Sequence, residues 1–410
     1  MRKLSSSVPL SHGIVKQIAI PLVLLCGSSV ASAVDWTKPY VEPQDTFAAQ
    51  SETDEYAWRL FVALNWPANE MQRVADSTKK LGADGPVTWE VWKNARDVFL
   101  PKGLDPGAWL SGPTPTSDQS VQRFDALPLQ QQLRLRRLEK MGVKPLFDLV
   151  SATAQQNETR LNKETFEFVR ANEFYNLDGQ LRVYDQGGEV SFPKASKEIK
   201  AQWRKIEAKD RNKYHTVEVT AENGTTKVLY GLTALHITTK DLPNWLWATF
   251  EHVDNQSLAG NEQWQLTSRD QFACKGEAPD CNKAPTGIGL EGTKWENYRL
   301  RGAQIDFIDG RGNPTLLANS QPENGFQTTS SCITCHSRAT IGRINGQPAR
   351  LSVFDRSLEA MKTGYVLDPG YVGAPKAEWF WSDTEDDGRK RLYLQTDFVW
   401  SFFRAHPKEN

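Results

Sequence analysis

Close to its C-terminal end the chain contains the run Cys332-Ile333-Thr334-Cys335-His336, and this run restricts the fold more than any other feature. Its two thiols stand three positions apart, a spacing that brings both to one side of a helical turn. The imidazole of His336 leaves the backbone directly after the second thiol. A fold that holds this run must therefore present two sulfurs and one ring nitrogen from a single short helix.

A Cys-x-x-Cys-His run is the attachment signature of c-type haem. Each thiol forms a thioether bond to one vinyl group of the porphyrin, and the histidine that follows binds the iron from one side. Through Cys332, Cys335 and His336 the chain resembles the c-type cytochromes. The resemblance implies one covalently attached haem c and, most simply, electron transfer with a redox partner protein.

Residues 1–33 predict a secretory signal. Arg2, Lys3 and Lys16 supply its positive charge, an apolar run follows over residues 18–25, and the sequence Ala-Ser-Ala ending at residue 33 is a typical cleavage site. The apolar run is too short to cross a bilayer, and we expect no membrane span in the mature chain. We therefore expect an exported protein, cleaved after Ala33 and located in the periplasm or secreted. Haem is attached to c-type cytochromes outside the cytoplasm, so the haem motif and the predicted export signal agree with each other.

Removal of the signal, which carries Cys26, leaves two cysteines besides those of the motif. Cys274 and Cys281 lie in a polar, turn-rich segment, and in an oxidising compartment we expect a disulfide between them. A zinc site built from all four cysteines is an alternative, but it leaves His336 without a role. A thioredoxin-like redox pair is another, but the polar segment 321–331 replaces the buried strand that should precede it.

The charge balance gives no support to a nucleic-acid partner. Without the three basic residues of the signal, 46 Lys and Arg stand against 50 Asp and Glu, a net charge of −4. This balance is too even for binding nucleic acid or another polyanion. The basic stretch 134–140 is explained by a solvated helix face, with a docking patch for an acidic redox partner as the alternative. The chain also lacks the phosphate-loop, HExxH and GxSxG motifs of phosphate-loop nucleotide-binding proteins, zinc proteases and serine hydrolases.

The length of the chain separates it from small cytochromes. A small cytochrome wraps its haem with about a hundred residues, whereas 377 residues follow the signal and only 74 of them come after His336. We expect three parts: the signal, a Trp-rich α+β region over 34–320, and a haem-attachment region over 321–410 packed on it. The 14 Trp are explained mainly by core packing.

Sequence periodicity predicts a mixed α+β fold with antiparallel hairpins, and not a standard small all-α cytochrome c. Helices are predicted near 55–66, 88–99, 129–142 and 195–209. Strands are predicted near 181–184, 216–219, 227–230, 245–253 and 305–308, with a last hairpin between 379–381 and 391–394.

A short haem-attachment helix is expected near the C-terminal end. It should span residues 332–341, with Ser330 or Ser331 as its N-cap. Arg338 and Arg343 follow the motif closely and suit the haem propionates, although solvent-facing arginines are equally ordinary near a helix end.

The second axial ligand of the iron distinguishes an electron-transfer protein from one that binds or transforms a small molecule. A bound Met or His favours electron transfer, and an open site favours small-molecule binding or catalysis. His252 is the leading candidate, since on a strand it shares an apolar face in an aromatic-rich stretch over 242–255. That stretch is similar to parts of large single-haem bacterial cytochrome c family proteins. Met361, 25 residues after His336, and His236 are the alternatives, together with an open site. Core packing is the competing explanation for His252 and for Met361.

Three functions fit these features. The first is periplasmic electron transfer by an exported haem c protein, which a single haem favours. The second is a haem enzyme, a peroxidase or another oxidoreductase, whose large N-terminal region forms a pocket, and the excess length favours it. The third is a sensor of diatomic ligands.

Overall fold

The computed structural model describes residues 34–112, 124–125, 155–221, 223–258, 268–276, 280–323, 327–351, 371–383 and 388–409. The signal with its cleavage site, the helix predicted over 129–142, the basic stretch 134–140 and the candidate ligand Met361 lie outside the described residues.

The described strands and helices alternate along the chain in a mixed α+β order. The strands are β1 (Ala68–Asn69), β2 (Val74–Ala75), β3 (Lys93–Asn94), β4 (Gln155–Leu161), β5 (Lys197–Lys205), β6 (Thr216–Thr220), β7 (Lys227–Thr239), β8 (Leu246–His252), β9 (Tyr298–Gln304), β10 (Thr340–Ile344), β11 (Gln347–Ala349), β12 (Trp381–Asp383), β13 (Arg389–Arg391) and β14 (Tyr393–Gln395). The α-helices are α1 (Thr46–Ser51), α2 (Thr53–Leu64), α3 (Ala95–Val98), α4 (Lys163–Ala171), α5 (Leu177–Asp185) and α6 (Cys332–His336). The expected α+β class is confirmed.

A seven-stranded antiparallel sheet forms the centre of the fold. Its strand order is β3-β4-β5-β7-β8-β9, and β6 pairs with the first part of the long strand β7. The predicted hairpin between β6 and β7 is confirmed, with Asn223 at its turn accepting hydrogen bonds from the backbone of Thr225 and Thr226. The strand predicted over 245–253 is confirmed as β8.

One face of this sheet carries the apolar core. Ala201, Leu235, Phe250 and Leu300 occupy paired positions on β5, β7, β8 and β9, so their side chains share this face. The predicted helix over 55–66 is confirmed as α2, which packs here through Phe61, whose ring centroid lies 4.4 Å from that of Phe250. The expected use of tryptophan in the core is also confirmed, since five are almost fully buried: Trp58, Trp89, Trp203, Trp245 and Trp295.

Two predictions of local structure were wrong. Residues 195–209 were expected to be helical, yet residues 197–205 form the central strand β5, because Ile199, Ala201 and Trp203 alternate with polar residues and face the core. The strand expected over 181–184 lies in helix α5. The side chain of Asn176 caps this helix by accepting a hydrogen bond from the Gly179 amide at 2.8 Å.

The remaining predictions were right in part. The helix expected over 88–99 is divided into a 3-10 turn, the short strand β3 and α3. The strand predicted over 305–308 is reduced to one bridge between Ile308 and Pro314. The predicted last hairpin is present as β12 and β13, with Trp381 paired to Arg391.

The described residues belong to one compact unit. The C-terminal part packs on the region before it, because Ile333, Val399 and Phe402 join the main hydrophobic core. Among the described residues, no helix combines the length and apolar character that a membrane span requires.

Replacing Phe61 with Ala should lower the free energy of unfolding by about 3–5 kcal/mol, because it leaves a cavity among buried aromatic rings. The ring of Phe61 is fully buried and contacts Trp58, Phe250 and Trp295. Urea unfolding measures the change. Phe47→Ala is the control: this side chain is 55% exposed, and its loss should cost less than about 0.5 kcal/mol. Equal effects of the two substitutions would contradict the packing described here.

Candidate functional site

The second face of the central sheet is polar. Thr159, Lys200, His236, Thr249 and Gly302 pair in register on β4, β5, β7, β8 and β9, so they form one row across this face. In an antiparallel ladder, residues directly opposite each other project to the same side. The row therefore brings a lysine and a histidine together in the middle of the sheet.

The Cys-x-x-Cys-His run lies over the β8–β9 end of this polar face. It forms helix α6, whose N-cap is Ser331 as predicted, although the helix ends at His336 instead of reaching residue 341. Gln304 of β9 anchors the helix, since its side-chain oxygen accepts a hydrogen bond from the Ile333 amide at 3.0 Å and its nitrogen donates to Ser331 Oγ at 2.9 Å. These bonds fix both the height and the rotation of α6 above the sheet.

A segment just before the motif ties the same end of the sheet to α6. The side-chain nitrogen of Asn319 donates to Thr249 Oγ1 at 2.9 Å, and the Ser320 hydroxyl donates to Glu251 at 2.5 Å. Glu251 is fully buried and also accepts two hydrogen bonds from Arg299. This pairing satisfies the buried charge that would otherwise destabilise the site.

The ring of His336 is oriented by the backbone. Its Nδ1 lies 2.8 Å from the carbonyl oxygen of Phe398, so Nδ1 donates there in the neutral ring and Nε2 is left for another partner. The ring of Trp247 packs against it, with centroids 4.4 Å apart. Burial lowers the pKa of His336 to about 4, against the hydrogen bond to Phe398, which raises it. The imidazole is therefore neutral at neutral pH, which is the form that binds a metal.

The backbone that presents this carbonyl is strained. Asp397 and Phe398 are consecutive non-glycine residues in the left-handed region, with φ of 47° and 69°. Such conformations cost about 1–3 kcal/mol each and persist where surrounding contacts hold them. Here the carboxylate of Asp397 accepts hydrogen bonds from Lys240 at 2.6 Å and from the Phe192 amide at 2.7 Å. The strain therefore lies at the point where the His336 ring is positioned.

The two motif thiols are free in the structure and do not form a disulfide. Burial is the main cause that raises the pKa of Cys332, and burial also raises the pKa of Cys335 to about 11. Reactive redox pairs of the thioredoxin type depend on the opposite, a lowered thiol pKa. The local environment thus argues against the thioredoxin-like alternative.

The predicted disulfide between Cys274 and Cys281 is present, with the sulfurs 2.10 Å apart. Since these two sulfurs are bonded to each other, the four-cysteine zinc site is not formed. Within the described residues, no three His, Cys, Asp or Glu side chains converge as a metal-ion site. That observation does not bear on a haem, because its iron takes only axial ligands from the protein.

His236 faces the same space as the motif. Its pKa is lowered to about 3, first by burial and then by the charges of Lys200 and His336, so the two imidazoles lie within electrostatic reach of each other. Its Nε2 is buried and has no hydrogen-bond partner among the described residues. This nitrogen is therefore available to a further partner, such as water or a bound group.

The structure does not bring the leading sequence candidate, His252, to the motif. Side chains alternate along β8, and His252 falls on the same face as Phe250, whereas Trp247 faces α6. Its Nε2 lies 3.0 Å from the Lys213 carbonyl, its Nδ1 accepts from the Asp254 amide, and its ring stacks on Tyr214. His252 is therefore a satisfied core residue, and we do not carry it forward as an iron ligand.

The residues fit a covalently attached haem. Two thiols outside any disulfide and an oriented imidazole nitrogen come from one short helix. The His236 nitrogen, which has no hydrogen-bond partner among the described residues, lies on a strand of the facing sheet. Trp247 and Trp400 flank the motif; Trp400 Nε1 donates to the Cys335 carbonyl at 3.3 Å. Metal-binding histidines usually donate their other ring nitrogen to a carbonyl, as His336 does.

Two arginines expected near the haem propionates have other partners. Arg343 forms an ion pair with Asp185, at 2.8 Å. Arg338 is buried, donates to the Tyr371 carbonyl and lies over the ring of Trp379 at 4.8 Å. The sequence interpretation missed Lys200 and the Phe398 carbonyl, which carry no local signal because their positions depend on strand register and chain reversal.

Comparison with known protein families, curated proteins and solved structures finds no match for this chain.

Replacing Asp397 with Ala should lower the free energy of unfolding by about 2–4 kcal/mol, because Lys240 and the Phe192 amide lose their acceptor. The Asp397 side chain is only 8% exposed. Chemical denaturation followed by tryptophan fluorescence measures the effect. Asp185→Ala is the matched control, since its ion pair with Arg343 is solvent-exposed and should contribute less than about 1 kcal/mol. A difference below the error of the measurement would refute the role given to Asp397.

Proposed function

We propose that this chain is an exported electron-transfer protein that carries one haem c. Cys332 and Cys335 would attach the porphyrin, and His336 would bind the iron. The observation that carries the proposal is the arrangement of His336: its Nδ1 is committed to the Phe398 carbonyl, and its Nε2 is left for a metal. A haem held in this way would accept and release one electron at its iron.

His236 is the proposed sixth ligand, in place of His252. Three observations support it: it lies in register with Lys200 and Thr249 on the polar face, it is electrostatically coupled to His336, and its Nε2 lacks a partner among the described residues. Burial keeps the pKa of both imidazoles low, so each is neutral and ready to bind iron at neutral pH. Two histidine ligands leave no open position, which favours electron transfer over chemistry on a bound substrate.

The surrounding residues would keep the site rigid. Strain at residues 397–398 aims the Phe398 carbonyl, Gln304 holds α6 on the sheet, and the buried ring of Trp247 packs beside His336. A fixed site with little reorganisation suits electron transfer between proteins. The disulfide between Cys274 and Cys281 agrees with an oxidising compartment, such as the periplasm.

A haem enzyme, a peroxidase or another oxidoreductase, is the second candidate. The observation in its favour is Glu323, a partly buried carboxyl whose pKa is raised by burial to about 7, close to the motif thiols. A carboxyl with such a pKa is suited to acid–base work near neutral pH. In this alternative His236 would not bind the iron and the sixth position would stay open.

Mass spectrometry and absorption spectra of the exported protein test the proposal. The protein should be produced with its own signal in a bacterium whose cytochrome c maturation is working. We expect the mass of the polypeptide plus one haem, and a low-spin spectrum that carbon monoxide leaves unchanged on rapid mixing. Cys332→Ser with Cys335→Ser should abolish the covalent mass increment. A bare polypeptide from this host would end the proposal.

Substitution of the two histidines separates the candidate ligands. His236→Ala should convert the spectrum to high spin and allow rapid binding of carbon monoxide, because it removes one axial nitrogen. His252→Ala is the control and should leave the spectrum unchanged, although it removes a buried ring. A wild-type spectrum that is already high spin and binds carbon monoxide rapidly would instead favour the haem enzyme.

A further inference from the structure

Two charged side chains of opposite sign face the proposed haem site and have no role in holding it. They are Lys200 on β5 and Glu323, which precedes α6 in the chain. The charge of Lys200 lowers the pKa of both His236 and His336. The charge of Glu323 raises the pKa of both motif thiols. The geometry agrees: Lys200 pairs in register with His236, and Glu323 accepts a hydrogen bond from Asn319. The side chain of Asn319 in turn donates to Thr249, the other register partner of His236.

Lys200 is placed over the site by strand register. It pairs directly with His236 of β7, so the two side chains leave the sheet on the same face. Lys200 is exposed, and its ammonium group makes no hydrogen bond or ion pair with the described residues. Its charge is thus not neutralised by a contact within that part of the chain, and its field reaches the motif.

Glu323 is held by a backbone contact, and no cation among the described residues forms an ion pair with it. Its Oε2 accepts a hydrogen bond from the Asn319 amide at 2.7 Å. The charged groups that face it are Lys200 from β5 and Glu251 from β8, and the Cys332 thiol of α6 lies within its electrostatic reach. Lys200 attracts its negative charge and Glu251 opposes it.

We propose that Lys200 and Glu323 set the reduction potential of the bound iron from opposite directions. This inference rests on the proposed function, because it needs the haem. Reduction lowers the positive charge at the iron by one unit. A nearby cation therefore favours the reduced state, and a nearby carboxylate favours the oxidised state. Lys200 would raise the potential, and ionised Glu323 would lower it.

Reduction potentials of haem-loaded variants at pH 8 test the proposal. Lys200→Gln should disfavour reduction by roughly three- to tenfold in the one-electron equilibrium constant, where tenfold corresponds to 59 mV. Glu323→Gln should favour reduction by a similar factor, because glutamine keeps the shape and removes the charge. Lys200→Arg keeps the charge and should preserve the potential of the wild-type protein.

Lys205→Gln is the matched control. Lys205 lies on the same strand, about 16 Å further along, and is likewise exposed. The substitution removes the same charge at a distance where solvent screens it, so the potential should not change. An equal shift in Lys200→Gln and Lys205→Gln would overturn the assignment of a local effect to Lys200.

The wild-type protein provides a test that needs no variant. Burial raises the pKa of Glu323 to about 7, so this carboxyl ionises as the pH rises from 6 to 8. The reduction potential of the iron should therefore fall over that range. At pH 5.5 Glu323 is protonated, and Glu323→Gln should then match the wild-type protein. Lys200→Gln should move the fall to higher pH, because Lys200 stabilises the ionised carboxyl.

The sign of the two shifts decides the outcome. Structural damage at the haem site would shift the reduction potentials of Lys200→Gln and Glu323→Gln in the same direction. The proposal requires shifts in opposite directions. Shifts of the same sign, or none, in variants that keep the wild-type absorption spectrum would overturn this inference alone. A wild-type protein without covalent haem would overturn the proposed function and this inference together.

Discussion

The register between strands β5, β7 and β8 is the constraint on which the rest of the structure depends. Because side chains alternate along a strand, a slip of one residue would exchange the two faces of the sheet. In the observed register Leu235 pairs with Phe250 on the core face, while His236 pairs with Lys200 and Thr249 on the polar face. The burial of the aromatic core against α2 thus determines which groups face the motif. Core packing and the composition of the candidate site are consequences of one alignment.

The candidate site contains strained backbone and buried charge, both of which destabilise the folded state, and the surrounding fold compensates for them. Two consecutive left-handed residues present the Phe398 carbonyl to His336, and the buried Glu251 needs Arg299 and Ser320 to satisfy its charge. Strain and buried charge of this kind are tolerated where neighbouring packing determines the geometry. The extensive aromatic core supplies that packing. The large region before the motif therefore supports the candidate site.

Local sequence signals predicted the elements whose cause is local. Asn223-Gly224 marked the hairpin between β6 and β7, and the periodicity before Pro67 marked α2. The signals failed where tertiary contacts decide: residues 197–205 contain charged residues that resemble a helix face, yet pairing on both sides makes them a central strand. The choice of His252 as leading candidate ligand also rested on a local pattern. An apolar face was taken as the cofactor face, whereas the motif packs on the polar face, where His236 lies.

By itself the sequence determined that Cys332, Cys335 and His336 share one short helix, because their spacing covers about one helical turn and needs no distant contact. It also determined the disulfide between Cys274 and Cys281, which closes a short loop. Only the tertiary structure decided which residues face that motif. His236, Lys200 and the Phe398 carbonyl come from positions 62 to 136 residues away from His336, and only strand pairing and chain reversal bring them together. Contacts over such separations depend on the energy of the whole core, which no local pattern encodes.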